Sequence, residues 1–339
     1  MNTPSCSTDS HPTITYLEDM IVRKLISIFL LLMLLVPAAT AEGMDTTIDF
    51  SAEDAISASI TPLPVDLSAG YVPAPDCYIA ADEENGVLQG YADESLTVTM
   101  ERVEIDDCTF YVARIKIAHP SQLRTGLANE KATKTNKIST MAKNHNAVVA
   151  IGGDFFSDAK NGYIVRQYKE FRKSPKSVYD MLLVDNNGDF HIVLQSDPEE
   201  LKALLTSEEL TFPNIFNFGP ALIKDGEVLP SPQYYVDNGN RYNIRSKEPR
   251  SAIGQLGELE YMFLVVEGTR SGKNRGGITT DQVAQWMHEQ GCIQAYNLDG
   301  GNSALMWFNG ENYSEKSVKS ERSVSDFIYI STAIKPEEE

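Results

Sequence analysis

The sequence predicts an α+β fold with a mixed, largely antiparallel sheet core that is rich in hairpins and flanked by a few helices. Two observations support this prediction. Short segments of strand-like alternation recur along the chain and are mostly joined as hairpins. Strand, helix and turn signals also follow one another irregularly rather than in repeated strand-helix-strand order, which argues against a doubly wound parallel sheet.

Two hairpins carry the strongest strand signals. Residues 96–103 and 110–117 alternate around an acidic turn, and residues 181–184 and 190–194 flank an Asn-Gly step, which is typical of a tight hairpin. The second turn, Asp185-Asn186-Asn187-Gly188-Asp189, spaces its acids as a calcium loop does. Its glycine is at the fourth position rather than the sixth and no acid follows at the twelfth, so we interpret it as a turn.

Three segments predict helices. Residues 131–144 are polar with spaced apolar positions and precede an apolar strand at 147–151. Asp197 and Pro198 begin a helix that continues through Leu205, with acids in its first turn. Thr279 and Gln282 have the spacing of a capping box, and this third helix leads directly into the strand before Asp299.

The chain begins with a segment typical of export. A short basic start follows Met20, then an apolar run over residues 25–36 and a small-x-small pattern before residue 42. We therefore expect Met20 to be the true start and residues 1–41 to be an upstream extension and signal peptide. A retained membrane anchor is the second choice, although the run is short for a spanning helix. The expected location is secreted or in the cell envelope.

The remaining chain divides by composition. Residues 42–75 are small, polar and proline-bearing, as in a flexible tether. We expect an N-terminal α+β part at 76–144, a main domain at 145–332 and an acidic tail at 333–339.

Charge and cysteine content narrow the function further. The formal net charge of −19 argues against nucleic acid or anionic lipid as a partner, and a membrane is expected only through an uncleaved signal segment. Three cysteines follow the signal peptide, which permits one disulfide; we predict Cys77 to Cys108, with Cys292 a buried strand residue.

Three acids stand where apolar strands end. Asp299 is followed by Gly300 and Gly301, Asp154 follows Gly152-Gly153, and Glu267 ends the strand 261–266. Glycines next to an acid let the backbone turn sharply and approach a ligand. An isolated Asp-Gly-Gly is more often a tight turn, but three such ends predict a carboxylate site.

Basic residues cluster beside one of these acids. Arg270, Lys273 and Arg275 lie among glycines directly after Glu267, which favours an anion site, with a solvated loop as the alternative. The spacing does not fit a nucleotide-binding P-loop. No G-x-S-x-G, H-E-x-x-H or C-x-x-C motif occurs, and the five histidines share no ligand spacing.

Taken in order, six motifs resemble the phosphodiester glycosidase family over roughly residues 145–332. They are Gly152-Gly153-Asp154-Phe155-Phe156, Phe218-Gly219-Pro220-Ala221-Leu222, Arg250-Ser251-Ala252-Ile253-Gly254, Glu267-Gly268, Asn297-Leu298-Asp299-Gly300-Gly301-Asn302-Ser303 and Arg322-Ser323-Val324-Ser325-Asp326. The resemblance implies a hydrolase that cleaves the bond between sugar C1 and phosphate oxygen in a glycosyl 1-phosphodiester. An N-acetylglucosamine-type or related envelope or exopolysaccharide substrate is expected.

The resemblance and the chemistry of the bond suggest roles for single residues. Asp154 and Asp299 are expected to serve as nucleophile, base or electrostatic stabiliser, with Glu267 as a third acid. Arg250 is expected to hold phosphate with help from Arg270. The remaining predicted substrate-binding residues are Gly153, Gly300, Gly301, Ser303 and Asn297. No cofactor is required, and a bound calcium or magnesium ion is left open.

The sequence departs from the family pattern at three positions, and two other function classes stay open. Gly152 replaces an asparagine, Glu267 an aspartate and Asn302 a glycine, so substrate choice is more affected than chemistry. One alternative is a non-catalytic carbohydrate-binding module. Its stacking platform would consist of Tyr296, Trp307 and Phe308. The other is a metal-dependent phosphodiesterase that attacks phosphorus.

Overall fold

The computed structural model describes residues 60–156, 162–174, 177–237, 240–268, 276–314 and 320–336. Three helices occur within these ranges: α1 (Ile138–Asn144), α2 (Pro198–Leu205) and α3 (Thr280–Glu289). The strands of the first half are β1 (Tyr78–Ile79), β2 (Gly90–Asp93), β3 (Leu96–Ile105), β4 (Cys108–Ile117), β5 (Leu123–Leu127), β6 (Asn136–Lys137), β7 (Val149–Gly152), β8 (Tyr163–Arg166), β9 (Lys169–Lys173), β10 (Met181–Val184), β11 (Phe190–Val193) and β12 (Asn214–Phe216). Those of the second half are β13 (Ala221–Lys224), β14 (Glu227–Val228), β15 (Tyr234–Asp237), β16 (Asn240–Asn243), β17 (Arg250–Gly257), β18 (Glu260–Gly268), β19 (Gln294–Leu298), β20 (Met306–Phe308), β21 (Glu311–Asn312), β22 (Ser323–Val324) and β23 (Asp326–Ile330).

Antiparallel sheets dominate, which confirms the predicted α+β class. The largest sheet has nine strands in the order β1-β2-β3-β4-β18-β17-β19-β13-β14. Two five-stranded sheets have the orders β21-β20-β7-β23-β5 and β11-β10-β12-β8-β9, and β15-β16 and β22-β6 form two-stranded pairs. Every strand pair within the described ranges is antiparallel.

The core lies between the sheets. Alternate side chains of β3, β4, β17, β18 and β19 meet those of β7, β20 and β23 in one apolar cluster, as the period-two geometry of strands requires. The opposite face of the nine-stranded sheet is covered by α3, and the outer face of the β7-containing sheet is covered by α1. Helix α2 covers the third sheet. The central strands are therefore buried on both faces, and only their ends are available to form a site.

The two predicted hairpins are confirmed. β3 and β4 pair over their full length, and β10 pairs with β11 around the Asn-Gly turn. In that turn, Asp185 Oδ1 accepts bonds from the backbone N–H groups of Asn187 and Asp189, so this acid stabilises a turn. The capping box at the start of α3 is also present, with Thr279 and Gln282 bonded reciprocally.

The first predicted helix is shorter than expected. It was predicted over 131–144 and begins only at Ile138. The side-chain oxygen of Asn129 accepts bonds from the backbone N–H groups of Thr133 and Lys134, which holds a turn there. β6 then pairs with β22 and prevents the helix from starting earlier.

The predicted disulfide is wrong: Cys77 and Cys108 are both free. Cys77 precedes Tyr78, which pairs with Tyr91 in β2. Tyr91 pairs with Val98 in β3, and Val98 pairs with Ile115 in β4, so Cys77 lies level with Ile115 along the sheet. Cys108 is seven residues from Ile115 along the same strand, or roughly 23 Å, whereas a disulfide needs Cα atoms within about 7 Å. Cys292 is buried as expected, just before β19.

The described part of the predicted tether, residues 60–75, is bound to the domain rather than free. The fully buried guanidinium of Arg124 donates to the carbonyl oxygens of Pro64, Asp66 and Ser68. Leu63 is buried among the core residues. A buried charged group requires such partners, and this segment supplies three of them beside Ser121 and Tyr329.

Segment 76–144 shares its sheets with segment 145–332. β4 pairs with β18, and β5 pairs with β23. No helix within the described ranges is long and apolar enough to cross a bilayer. The predicted signal peptide, residues 1–41, lies outside the described residues.

Candidate active site

The candidate site lies where the central strand β17 begins and its antiparallel neighbour β19 ends. Their register pairs Ser251 with Leu298, which places Arg250 and Asp299 side by side at the sheet edge. The turn after β19 folds back over β17: the Gly301 N–H donates to the carbonyl oxygen of Pro249 at 2.8 Å. Residues that are far apart in the chain therefore meet at one edge.

A pocket of about 540 Å³ opens at this edge. It contains two guanidinium groups, two carboxylates and several amides. The lining residues used below are Asn297, Asp299, Arg250, Arg322, Glu248 and Gly301. This balance of charges is unusual in a chain with a formal net charge of −19.

Glycines give the turn after Asp299 its shape. A Cβ atom at Gly300 would lie 2.5 Å from the carbonyl oxygen of Pro249, so only glycine fits there. Gly301 has φ of 58°, in the left-handed region that glycine adopts without strain. The N–H of Asp299 donates to the Gly153 carbonyl oxygen at 3.1 Å, which holds this half-buried acid at the pocket edge.

Arg250 is fixed by backbone carbonyl groups. Its Nε donates to Ile278, and its Nη2 donates to Ile244 and Ser246. Burial lowers the pKa of this guanidinium, and the nearby Glu248 carboxylate raises it. Nη1 has no hydrogen-bond acceptor among the described residues, so Arg250 presents one donor from a rigid frame.

Arg322 is the second cation of the pocket and is exposed. Its Nη1 donates to the Ser303 hydroxyl at 3.1 Å, and its guanidinium lies 4.7 Å from the ring centre of Phe155. Phe155 has φ of 51°, a strained value for a bulky residue of the kind found near functional sites. Ser303 thus contributes by orienting Arg322, although it does not itself line the pocket.

Arg166, Asp154 and Asp326 form a fully buried ion cluster next to Gly153, whose carbonyl oxygen holds Asp299. Arg166 Nη2 lies 2.6 Å from Asp154 Oδ1 and 2.8 Å from Asp326 Oδ2. The other Asp154 oxygen accepts a bond from the Asn217 N–H at 2.8 Å. Asp154 has no exposed surface and does not line the pocket, so it holds its neighbourhood together rather than facing solvent.

The surroundings of Asp326 shift the pKa of its carboxyl group. Burial raises the pKa of Asp326 to about 7; the Arg166 guanidinium lowers it, and the carboxylates of Asp154 and Asp299 raise it. Its Oδ1 is buried without a hydrogen-bond partner in the described structure. One arginine therefore neutralises two buried carboxylates incompletely.

This imbalance predicts a pH-dependent stability. Because the folded-state pKa of Asp326 lies above its usual value of 3.8, its contribution to stability is fully present below about pH 4 and is lost as the pH rises through about 7. Asparagine does not titrate, so the Asp326→Asn protein does not lose this contribution. As the pH rises through that window, we expect its free energy of unfolding to increase relative to that of the native protein by about 1 kcal/mol per pH unit. Urea unfolding of both proteins at pH 5 and pH 8 measures the difference. An unchanged difference would contradict the assignment.

Close packing at Gly153 gives a second prediction. A Cβ atom there would lie 2.3 Å from Asp326 Oδ2, and Arg166 prevents that carboxylate from moving away. We expect Gly153→Ala to lower the free energy of unfolding by about 1–3 kcal/mol. The matched control is Gly257→Ala, where the nearest atom is 3.9 Å away and the effect should be small. Equal effects of the two substitutions in thermal unfolding would refute the packing argument.

Other predicted residues lie elsewhere. Glu267 is buried, but it follows Val266, the register partner of Arg250, and so points to the opposite face of the sheet. It does not line the pocket. Arg270 lies outside the described residues. Tyr296, Trp307 and Phe308 are buried in the core, so the stacking platform expected of a carbohydrate-binding module is not formed by them.

Asn297 remains with Asp299 in the pocket. Its Nδ2 donates to the Gly219 carbonyl oxygen at 2.8 Å, while its buried Oδ1 has no donor among the described residues. An amide oxygen held in this way is suited to accept a bond from a ligand hydroxyl. Among the described residues, no group of three or more histidine, cysteine or acidic side chains is arranged to hold a metal ion.

The fold and site together define a sheet-rich α+β protein with a polar pocket that combines carboxylates and arginines. The family model for phosphodiester glycosidases matches residues 145–331, more than half of the chain. The chain therefore belongs to the phosphodiester glycosidase family, as the sequence motifs predicted.

Among individual proteins, the solved structures that match this fold have low sequence identity to the chain, and the curated relative matches only part of its sequence. The catalytic domain of zebrafish N-acetylglucosamine-1-phosphodiester alpha-N-acetylglucosaminidase, auto-inhibited by its pro-peptide, aligns with a TM-score of 0.54 and 19% identity, covering 80% of this chain and 98% of that one. A hypothetical protein from Synechocystis aligns with a TM-score of 0.46 and 17% identity, covering 70% and 62%. The SPbeta prophage-derived uncharacterized protein YomE of Bacillus subtilis (strain 168) is 33% identical over 119 residues, which are 35% of this chain but only 17% of that protein.

Four residues of this site and its support were given no role from the sequence: Arg166, Glu248, Arg322 and Asp326. Glu248 stands two positions before the third motif, outside its bounds. Arg322 and Asp326 stand in the last family motif, and that motif was the signal that could have indicated them. Arg166 stands in no motif, and an arginine at the end of a strand gives no sign that it will be fully buried between two acids.

Proposed function

We propose that this chain hydrolyses glycosyl 1-phosphodiesters by breaking the bond between the anomeric carbon and the phosphate oxygen. The observation that supports this most is the placement of Asp299 in one pocket with Arg250 and Arg322. A phosphodiester joined to a sugar needs a cationic partner for phosphate and an anion beside the carbon that becomes electron-poor. Family membership agrees with this reaction class.

Each pocket residue has a role suited to that bond. Arg322, exposed and oriented by Ser303, and the free Nη1 of Arg250 bind the phosphate oxygens. Charge-assisted bonds of this kind are about twice as strong as neutral ones and stabilise the leaving phosphate. The Asp299 carboxylate stabilises the positive charge that develops at C1. Asn297 Oδ1 accepts from a sugar hydroxyl.

The leaving group explains why the pocket needs no strong acid beside the departing oxygen. A phosphate monoester carries negative charge well, so protonation contributes less than in an ordinary glycosidase. Binding phosphate by two arginines therefore replaces much of the work of a general acid. We place the substrate among N-acetylglucosamine-type phosphodiesters of the cell envelope or of exopolysaccharides, and the protein outside the cytoplasm, in keeping with the export signal.

Hydrolysis of UDP-N-acetylglucosamine in ¹⁸O-labelled water tests the proposal. Attack at C1 gives free N-acetylglucosamine that carries the label and unlabelled UDP. Label in a phosphate product, accompanied by N-acetylglucosamine 1-phosphate, would instead indicate the metal-dependent phosphodiesterase alternative. Binding without turnover of this and related glycosyl phosphodiesters would favour the carbohydrate-binding module.

A further inference from the structure

A second carboxylate, that of Glu248, faces the pocket from the segment directly before β17. Glu248 precedes Pro249 and Arg250 and lines the same pocket as Asp299. Its Oε2 would be 3.5 Å from a Cβ atom at Gly301, which is two residues beyond Asp299 in the turn. The two acids therefore border one cavity from neighbouring segments.

The position of Glu248 is fixed by its surroundings. Its backbone exchanges two hydrogen bonds with Ile278, with N···O distances of 3.3 and 3.1 Å. The Ser246 hydroxyl donates to Oε1 at 3.0 Å, which orients the carboxylate. No described residue donates to Oε2. Glu248 is half-buried, so it is reachable by water as well as by a bound sugar.

The other acids predicted for catalysis do not have this access. Asp154 is fully buried and both of its oxygens are bonded to protein groups. Glu267 lies on the opposite face of the sheet. Among the described acids, Glu248 and Asp299 are the ones that line this pocket.

We propose that Glu248 is the general base that activates water in this site. The inference rests on the proposed function and assigns its second working carboxylate. Glu248 Oε2 removes a proton from water while the water oxygen forms a bond to C1. The bond between C1 and the phosphate oxygen breaks, and its electron pair stays on the departing phosphate monoester held by Arg250 and Arg322. If Asp299 first forms a covalent sugar intermediate, Glu248 performs the same proton removal when water displaces Asp299.

Azide rescue of Glu248→Ala tests this role. Azide attacks C1 without losing a proton, so its attack needs no base. Removal of the Glu248 side chain also leaves space for azide to bind. We expect kcat with UDP-N-acetylglucosamine to fall by about 10²–10⁴-fold, which is the usual contribution of acid–base catalysis. Added azide should raise the kcat of the Glu248→Ala protein at least about tenfold. The product should then be a glycosyl azide, which mass spectrometry identifies.

The controls separate this inference from the proposed function. Glu311→Ala, at an exposed position on β21, should keep native kcat and form no glycosyl azide. Glu248→Gln keeps the side-chain size, and we expect it to lose kcat with little change in KM and in thermal unfolding. A native protein that cleaves no glycosyl phosphodiester would overturn the proposed function. A native protein that is active while Glu248→Ala keeps its rate, or loses it without azide rescue, would overturn only the role of Glu248.

Discussion

Asp299→Asn is expected to lower kcat/KM for a glycosyl 1-phosphodiester by roughly 10³-fold, the scale seen when one electrostatic contact to a transition state is removed. The carboxylate stands at the pocket edge beside Arg250, where a positively charged sugar carbon would develop. Asparagine has nearly the same shape but no charge, so it cannot stabilise that carbon or form a bond to it. Initial-rate measurements over a range of substrate concentration give the effect.

The fold should tolerate this substitution. One hydrogen bond that holds residue 299 runs from its backbone N–H to the Gly153 carbonyl oxygen, and the asparagine variant keeps this bond. We therefore expect a thermal unfolding temperature close to that of the native protein. Asp76→Asn, at an exposed position in the turn Pro75–Cys77, is the matched control and should be fully active. An active Asp299→Asn protein would remove Asp299 from the mechanism.

Arg166→Met is expected to cause the largest loss of stability, about 3–5 kcal/mol, because it leaves two buried carboxylates without their cation. Arg166 has no exposed surface, is bonded to Asp154 and Asp326, and lies 4.3 Å from the ring centre of Phe216. Methionine keeps much of the apolar contact of the arginine side chain. The decrease in the free energy of unfolding therefore measures mainly the loss of the guanidinium charge. Urea unfolding at pH 7 measures it.

Two comparisons make this result specific. Arg102→Met removes a surface ion pair with Glu104 in which both side chains are at least half exposed, and it should cost less than about 1 kcal/mol. Lowering the pH to 5 should reduce the loss in Arg166→Met, because Asp326 can then take up a proton. A loss that is equal for Arg166 and Arg102 would show that the buried cluster contributes no more than a surface pair.

Local chemistry explains what could be predicted. The hairpin turn at Gly188 and the capping residues Thr279 and Gln282 depend on neighbours a few positions away, so their patterns are visible in the chain. The apolar strand that ends at Asp299, with its two glycines, was also visible, and the order of six motifs was enough to predict the family. The helix predicted from 131 failed because the side chain of Asn129 favours a turn.

Contacts between distant segments could not be predicted in the same way. The disulfide between Cys77 and Cys108 was proposed from the number of cysteines alone. The register of β1 to β4 places Cys77 near the open end of the β3–β4 hairpin and Cys108 at its turn. Likewise, Glu267 belongs to a family motif, but strand alternation turns it away from Arg250.

The sequence by itself determined the fold class, the family and the acid and arginine types from which a site is built, because these depend on local patterns and ordered motifs. Only the tertiary structure decided which of these groups share a pocket. Sheet register placed Asp299 beside Arg250, and the packing of the β7 sheet against the β8 sheet buried Asp154 against Arg166. The bridge between Glu248 and Ile278 holds Glu248 at the pocket. The physical reason is that register and burial arise from pairing between strands far apart in the chain, and no single segment contains that information.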